Sequence, residues 1–367
     1  MGMMLIKEKE YKDFSWDFRR KANHKPLVAH FELTYRCILH CRHCYSECYN
    51  NNRASRRELS TKKQKQLLDK CKAGNVLWLC FTGGDPLFRK DFAEIYAYAK
   101  NSGFVITVFS SLAGLDRELF RMFCEHPPFK IETTLNSSDA GLYHKITKTN
   151  LFERHIDAIK KLINAGIYVR VKTLITKQNL HQVERIKELV ESLGAVFTPS
   201  AMVYAQLNGN KDNTALRLHP QDMLMITKKY GHLSKLRAQA GERKTTLKDL
   251  TGRIRGKKVL SCAAGIDTFW ITARGRMIVC CDIRKPDYDL LKSGNSVEEG
   301  FYSLNRTLRS WRFKTDSLCG KCKYRRICSW CPGRAFIETG NSEEPVGYFC
   351  ELTKRLVKDQ EENKSRI

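Results

Sequence analysis

Between residues 27 and about 200 the chain alternates short apolar runs with longer amphipathic segments, and this alternation constrains its fold more than any other feature. The apolar runs fall at 27–34, 76–82, 104–109, 129–135, 167–174 and 195–199. Their length and bounding turn residues are those of buried strands. Between them, Phe152, Ile156, Ile159 and Ile163 mark one helical face, and Val183, Ile186, Val190 and Leu193 mark another. Gly74, Gly103, Gly166 and Gly194 stand where such helices should stop. Thr61-x-x-Gln64, Asp91-x-x-Glu94, Asn150-x-x-Glu153 and Asn179-x-x-Gln182 read as helix starts with reciprocal caps. Six strands separated by helices predict a parallel sheet with helices outside. Functional residues in such folds gather at the carboxyl ends of the strands.

Two motifs occupy those ends. The first strand runs into Cys37-Ile-Leu-His-Cys41-Arg-His-Cys44, and the second into Thr82-Gly83-Gly84-Asp85-Pro86-Leu87. A cubane iron-sulfur cluster normally takes four thiolates, so three closely spaced cysteines hold one face and leave one iron open to a ligand. Zinc is the rival: structural zinc closes a tetrahedron, usually from paired Cys-x2-4-Cys units, and His40 and His43 offer a fourth donor. Two glycines at a strand's end let backbone groups approach a ligand closely. A third cysteine set lies near the C-terminus. Cys262 is followed after twelve residues by Gly275 and after four more by Cys280; then come Cys319-x2-Cys322-x5-Cys328-x2-Cys331 and, eighteen residues on, Cys350.

The cysteine triplet and the Gly-Gly-Asp-Pro loop together resemble the radical S-adenosylmethionine (SAM) superfamily, and the C-terminal cysteines resemble the SPASM extension of its peptide-modifying members. The resemblance implies an α/β fold, a partial (βα)6 TIM-like barrel followed by a small cysteine-rich, cluster-binding domain. The expected units are an N-terminal segment (1–25), the barrel (26–205), a basic connecting region (206–255), the auxiliary domain (256–353) and a charged tail (354–367). A [4Fe-4S] cluster on Cys37, Cys41 and Cys44 would take SAM at its open iron. Gly83, Gly84, Asp85 and Pro86 would form the loop that meets the methionine amino group, with Asp85 in place of the commoner Glu and His43 at a position that is often aromatic. Ser110, Thr134 and Lys172, at later strand ends, fall where the family contacts the ribose and carboxylate of SAM; taken alone, each reads as a cap or turn residue.

By the same resemblance Cys319, Cys322, Cys328 and Cys350 would ligate one auxiliary [4Fe-4S] cluster and Cys262, Cys280 and Cys331 another, completed by Cys281 or by substrate. The spacing between Cys328 and Cys331 is two residues where three are usual. Asp282, beside the cysteine pair, is a candidate base. The implied reaction is reductive cleavage of SAM to a 5'-deoxyadenosyl radical that abstracts hydrogen from a substrate carbon, with flavodoxin or ferredoxin as reductant. A thioether or carbon-carbon crosslink in a ribosomally made peptide is the expected outcome. Formylglycine formation on sulfatases and modification of a porphyrin-like cofactor are the alternatives within this chemistry. An iron-sulfur electron-transfer protein is the alternative outside it, one with no use for a SAM-binding turn. Only 36 residues precede Cys37, so leader recognition is expected from the barrel mouth, the basic region or a separate partner.

Composition narrows the setting. Fifteen cysteines without a secretory signal fit thiolate metal sites in a reducing, cytoplasmic compartment and argue against a disulfide framework. Met3 to Ile6 is too short for a signal h-region, and no stretch approaches the roughly 18 apolar residues of a membrane span. Cys71, Cys80 and Cys124 read as small buried hydrophobes, and Cys48 as a spare ligand. The net charge is +26, and residues 217–258 carry 12 Lys plus Arg against 3 Asp plus Glu, or +9. Such a surface attracts an acidic peptide, a phosphate-rich ligand or nucleic acid, or is only solvated. Without interleaved aromatic residues and with auxiliary cysteines, nucleic acid is disfavoured. Charge reversal at Arg253, Arg255, Lys257 and Lys258 is expected to weaken binding of an acidic substrate.

Overall fold

The computed structural model describes residues 24–46, 57–230, 258–260, 262, 264–314 and 316–364. Cys48, Arg253, Arg255 and Lys257 lie outside the described residues.

All six predicted strands form, within one or two residues of their expected limits. They are β1 (Val28–Thr34), β2 (Trp78–Gly83), β3 (Val105–Phe109), β4 (Lys130–Thr134), β5 (Val169–Leu174) and β6 (Val196–Ser200). Each pairs in parallel with the next, so spatial order follows chain order. The connections carry α1 (Thr61–Ala73), α2 (Phe92–Asn101), α3 (Arg117–Glu125), α4 (Ala140–Thr147), α5 (Phe152–Asn164) and α6 (Val183–Ser192). This is the partial (βα)6 barrel.

Its core lies between strands and helices. Phe31 and Phe81, opposite each other on β1 and β2, meet edge to face at 6.1 Å, and Phe92, Tyr96 and Phe123 continue the stack outward at 5.3–6.3 Å. Each fully buried apolar side chain of this size stabilises the fold by roughly 1.5–3 kcal/mol. The predicted helical faces are the buried ones: Phe152, Ile156 and Ile159 on α5, and Val183, Ile186 and Val190 on α6.

The four reciprocal caps do not form: in α1, α2, α5 and the turn before α6 no side chain caps the helix start, and Thr61, Asp91 and Asn179 bond elsewhere. Thr61 Oγ1 donates to Asp91 Oδ2 at 2.7 Å, and Asp91 also accepts from Arg89; α5 follows Leu151; Asn179 Oδ1 accepts from Thr176 N at 2.7 Å. Asp116 and Asp139 do the capping, each accepting at 2.8 Å from the third residue on. Cys71 is fully buried, as expected, but Cys124 is exposed: α3 buries Leu119, Met122 and Phe123, and Cys124 falls past that stripe.

The C-terminal hairpin does not stand apart. β7 (Thr268–Ile271) pairs in parallel with β1, with Val28 opposite Thr268, and β8 (Arg276–Ile278) and β9 (Tyr288–Asp289) follow antiparallel. The result is one nine-stranded sheet in the order β6-β5-β4-β3-β2-β1-β7-β8-β9. Beyond β6, α7 (Pro220–Tyr230) shares a small apolar core with the last helix described. The remaining helices are α8 (Val297–Ser310), α9 (Leu318–Lys321), α10 (Pro332–Thr339) and α11 (Gly347–Lys364). Met223 and Leu224 of α7 meet Leu352 and Leu356 of α11, and Val297 of α8 sits against the Gly74 stop of α1. Among the described residues no helix is long and apolar enough to cross a membrane.

Candidate active site

At the carboxyl ends of β1 to β6 the loops enclose a cavity of about 590 Å³, a volume typical of small-molecule sites. Its wall contains Cys37, Cys41, Cys44, Gly83, Gly84, Ser110, Thr134 and Lys172. Tyr35, Phe109, Asn136, Ser137, Tyr143 and Tyr204 also line it. None of these six had a signal of its own in the sequence.

The cysteine loop is held from two sides. On one, Gly84 N donates to Thr34 O at 2.8 Å and Asp85 N to Arg36 O at 2.7 Å. A Cβ on Gly83 would lie 2.3 Å from Thr34 O, and one on Gly84 would lie 2.2 Å from Arg36 O. Gly83 also adopts φ +127°. The first need for these glycines is thus the close crossing of the end of β2 over the chain entering the cysteine loop. On the other side, His40 N donates to Thr147 O at 2.9 Å and Arg42 N to Ile146 O at 3.1 Å, satisfying carbonyls that the end of α4 leaves without helical partners. Glu58 braces the approach, accepting from Thr34 Oγ1 at 2.8 Å, Tyr35 N at 2.7 Å and Arg36 Nη2 at 2.8 Å.

Asp85 and Pro86 are buried behind the wall. The Asp85 carboxylate accepts from Leu87 N at 3.1 Å, Ser110 Oγ at 2.7 Å, Ser111 N at 3.0 Å and the Ser111 hydroxyl. Burial pushes its carboxyl upward while these hydrogen bonds oppose the shift. Asp85 therefore ties the Gly-Gly loop to the end of β3, and it is the backbone of Gly83 and Gly84 that faces the cavity.

Lys172 Nζ lies 2.5 Å from Glu132 and 4.4 Å from the centre of the Phe109 ring. Burial would raise Glu132, but Lys172 and Lys130 outweigh it and hold the carboxyl down at about 2. His43 is brought down to about 4 by desolvation, and Asn136 Nδ2 donates to its Nε2 at 3.2 Å.

The C-terminal cysteines divide unevenly. Among the described residues, one set of three donors lies within 4.8 Å of one another: Cys280, Cys281 and Asp282. Cys331 is a close electrostatic neighbour, its thiol pushed up to about 11 by burial. Cys262 is exposed and outside this set. Asp282 accepts from Arg334 Nε at 2.9 Å, and the Arg334 guanidinium stacks 3.4 Å over the ring of Tyr204 in the cavity wall. The candidate base is thus already half of an ion pair. Cys319 and Cys328 are buried in a small core with Phe313, Trp330 and Phe349. Burial, then the neighbouring thiols of Cys350, Cys328 and Cys322, push Cys319 up to about 12.

The donor set of the cavity fits a cubane better than zinc. Tetrahedral zinc brings its sulfurs to about 3.8 Å of one another at Zn–S near 2.3 Å, whereas Cys37, Cys41 and Cys44 do not form a set within 4.8 Å. Two buried hydroxyls of wall residues, on Ser137 and Tyr143, have no hydrogen-bond partner among the described residues, as expected where a bound group supplies the acceptors.

The model of the radical SAM superfamily matches residues 31–193, from within β1 to the end of α6 and including both motifs. Residues 31–193 are thus a radical SAM domain, and the protein is a SAM-dependent enzyme of that kind, with a [4Fe-4S] cluster and SAM as its cofactor. It is 22% identical over 344 residues to an AdoMet-dependent heme synthase of Methanosarcina barkeri, covering 87% of this chain and 95% of that protein. It is 24% identical over 358 residues to the PqqA peptide cyclase of Bradyrhizobium diazoefficiens, covering 92% and 90%. In fold it resembles Streptococcus suis SuiB bound to the precursor peptide SuiA, with a TM-score of 0.66 at 15% identity over 92% of this chain and 78% of that one. Native anSMEcpe with bound AdoMet gives a TM-score of 0.64 at 13% identity, over 92% and 100%. The enzyme cleaves SAM.

Proposed function

We propose that Cys37, Cys41 and Cys44 hold the SAM-cleaving cluster and that the enzyme oxidatively crosslinks a ribosomally made peptide, by a thioether or carbon-carbon bond. The observation that carries the first half is the convergence of the triad and the Gly83-Gly84 backbone on one cavity with two orphaned hydroxyls. The second half is supported by likeness to a peptide cyclase along nearly the whole chain and to a fold that holds a precursor peptide.

The chemistry supplied there is one-electron cleavage of the sulfonium carbon-sulfur bond of SAM, yielding a 5'-deoxyadenosyl radical that removes a hydrogen atom from the substrate. The chain's residues bind and orient. Gly83 and Gly84 present backbone groups to the methionine amino end, and the Lys172 ammonium, held by Glu132, meets the carboxylate. Thr134 and the Ser110 end of β3 border the ribose. Tyr35, Leu174, Met202 and Tyr204 form an apolar wall that excludes water. In the unit 256–353, Cys319, Cys322, Cys328 and Cys350 hold one auxiliary cluster, and Cys280 and Cys331 with Cys281 contribute to a second near Tyr204. A low-potential carrier such as flavodoxin or ferredoxin supplies electrons.

A second reading, modification of a porphyrin-like cofactor, is favoured by the equally extensive likeness to heme synthases. The deciding experiment measures 5'-deoxyadenosine from SAM under anaerobic, reducing conditions, with a cysteine-containing precursor peptide or a porphyrin added. Product that rises with the peptide, with a loss of two hydrogens per crosslink in its mass, supports the proposal. Product that rises only with the porphyrin transfers it to the second reading. No product from iron-loaded protein that also fails to bind SAM would sink both, and a Cys37, Cys41, Cys44→Ala variant sets the background.

A further inference from the structure

We propose that Tyr143 is a hydrogen-bond donor to the cluster held by Cys37, Cys41 and Cys44, its hydroxyl meeting a cluster sulfur and setting the reduction potential of that site. The inference rests on the reading that the triad binds a cluster.

Tyr143 lies on α4, one turn before the carbonyls of Ile146 and Thr147 that anchor the cysteine loop through Arg42 N and His40 N. Its own carbonyl accepts from Thr147 Oγ1 at 2.8 Å, so the turn that carries the ring is the turn that carries the loop. The ring packs edge-on against Phe152 at 5.7 Å and is tilted 64° to His155 at 6.0 Å. It contributes to the wall that also contains the three cysteines. Tyr143 is only 2% exposed, yet its hydroxyl has no partner among the described residues. Phenylalanine would fill the same space without burying an unsatisfied donor, which costs free energy. A tyrosine is useful there when something in the cavity accepts from it. Burial foremost, and then the charges of Cys41 and Cys37, raise its pKa, so the hydroxyl keeps its proton and remains a donor.

A hydrogen bond to a cluster sulfur stabilises the added electron of the reduced form and raises the potential. Tyr143 is a positioning residue in this sense: it acts on the potential at which SAM is reduced and not on the substrate.

The test compares wild-type, Tyr143→Phe and Tyr96→Phe proteins, iron-loaded under anaerobic conditions, in redox titrations that follow the paramagnetic signal perturbed by SAM. Tyr96 donates its hydroxyl to His126 O at 2.7 Å outside the cavity wall and controls for loss of a buried phenol. The expected result is a more negative midpoint in Tyr143→Phe alone, with the melting temperature of the iron-free protein unchanged or higher. An unchanged midpoint overturns the inference, whether accompanied by weaker SAM binding, which would assign the hydroxyl to SAM, or by a lower melting temperature, which would make it structural. A wild-type protein with no SAM-sensitive signal overturns the functional reading and this inference with it.

Discussion

The barrel and the cysteine-rich unit solve the problem of burial in different ways. The barrel buries Phe31, Phe81, Phe92, Tyr96 and Phe123 in one continuous core, and its three motif cysteines sit outside that core in a loop at the rim. Around the C-terminal cysteines the separate core is small, and two of its members are Cys319 and Cys328 themselves. A thiol pushed up to about 12 by burial is a poor ligand until metal displaces its proton. The comparison teaches that the same residue type is an accessory in one region and a structural element in the other.

The largest effect should come from iron. Stripping metal by an anaerobic chelator is expected to open the segment around Cys319–Cys350 to limited proteolysis while the barrel stays resistant. Equal resistance of both regions after complete iron removal would break the contrast.

Next comes acid. His155 of α5 is fully buried, with Nε2 2.8 Å from Thr133 Oγ1, and burial lowers its pKa from 6.5 to about 4. Its folded pKa lies below its unfolded one, so between pH 6.5 and 4 the unfolded chain binds the proton first. Stability is full above 6.5 and falls as pH drops toward 4, by roughly 3 kcal/mol for this shift. His155→Gln is expected to flatten the pH dependence of the barrel's melting transition in that window.

Smaller still is the joint between the two loops. Gly84→Ala places a methyl 2.2 Å from Arg36 O and should cost about 1–3 kcal/mol, read as a lower denaturant midpoint. It should also weaken SAM binding, because the cysteine loop is displaced. The smallest effect on stability belongs to the Cys37, Cys41, Cys44→Ala variant. Lying outside the core, these substitutions should move iron-free stability by no more than about 0.5 kcal/mol while abolishing SAM cleavage. A large loss of iron-free stability would show that the triad supports the fold.

Much of the barrel was legible because period and punctuation are local. Strands β1 to β6 fall within two residues of their apolar runs, and the buried faces of α5 and α6 follow their 3.6-residue spacing. The helix caps failed for the opposite reason. Asp91 and Asn179 have the right residue at the right offset, but Arg89 two residues before Asp91, Thr176 three before Asn179, and the distant Thr61 compete for their carboxylate and amide oxygens, so a motif read at one spacing missed the rival at another. The cavity shows the same division. Cys37, Cys41, Cys44, Gly83 and Gly84 stood out by spacing, whereas Tyr143, Asn136 and Tyr204 come from unmarked positions on α4, after β4 and after β6. The inward turn of Asp85 and the pairing of Asp282 with Arg334 were equally invisible, since both partners are distant in the chain.

By itself the sequence determined the βα alternation and the two strand-end motifs, because strand period, helix period and motif spacing are all written over a few residues. Only the tertiary structure decided that β7 joins β1 in one sheet, that Asp85 serves the loop and not the cavity, and which hydroxyls are left without partners. Those outcomes depend on which distant side chain arrives within hydrogen-bonding reach, a property of the packed whole.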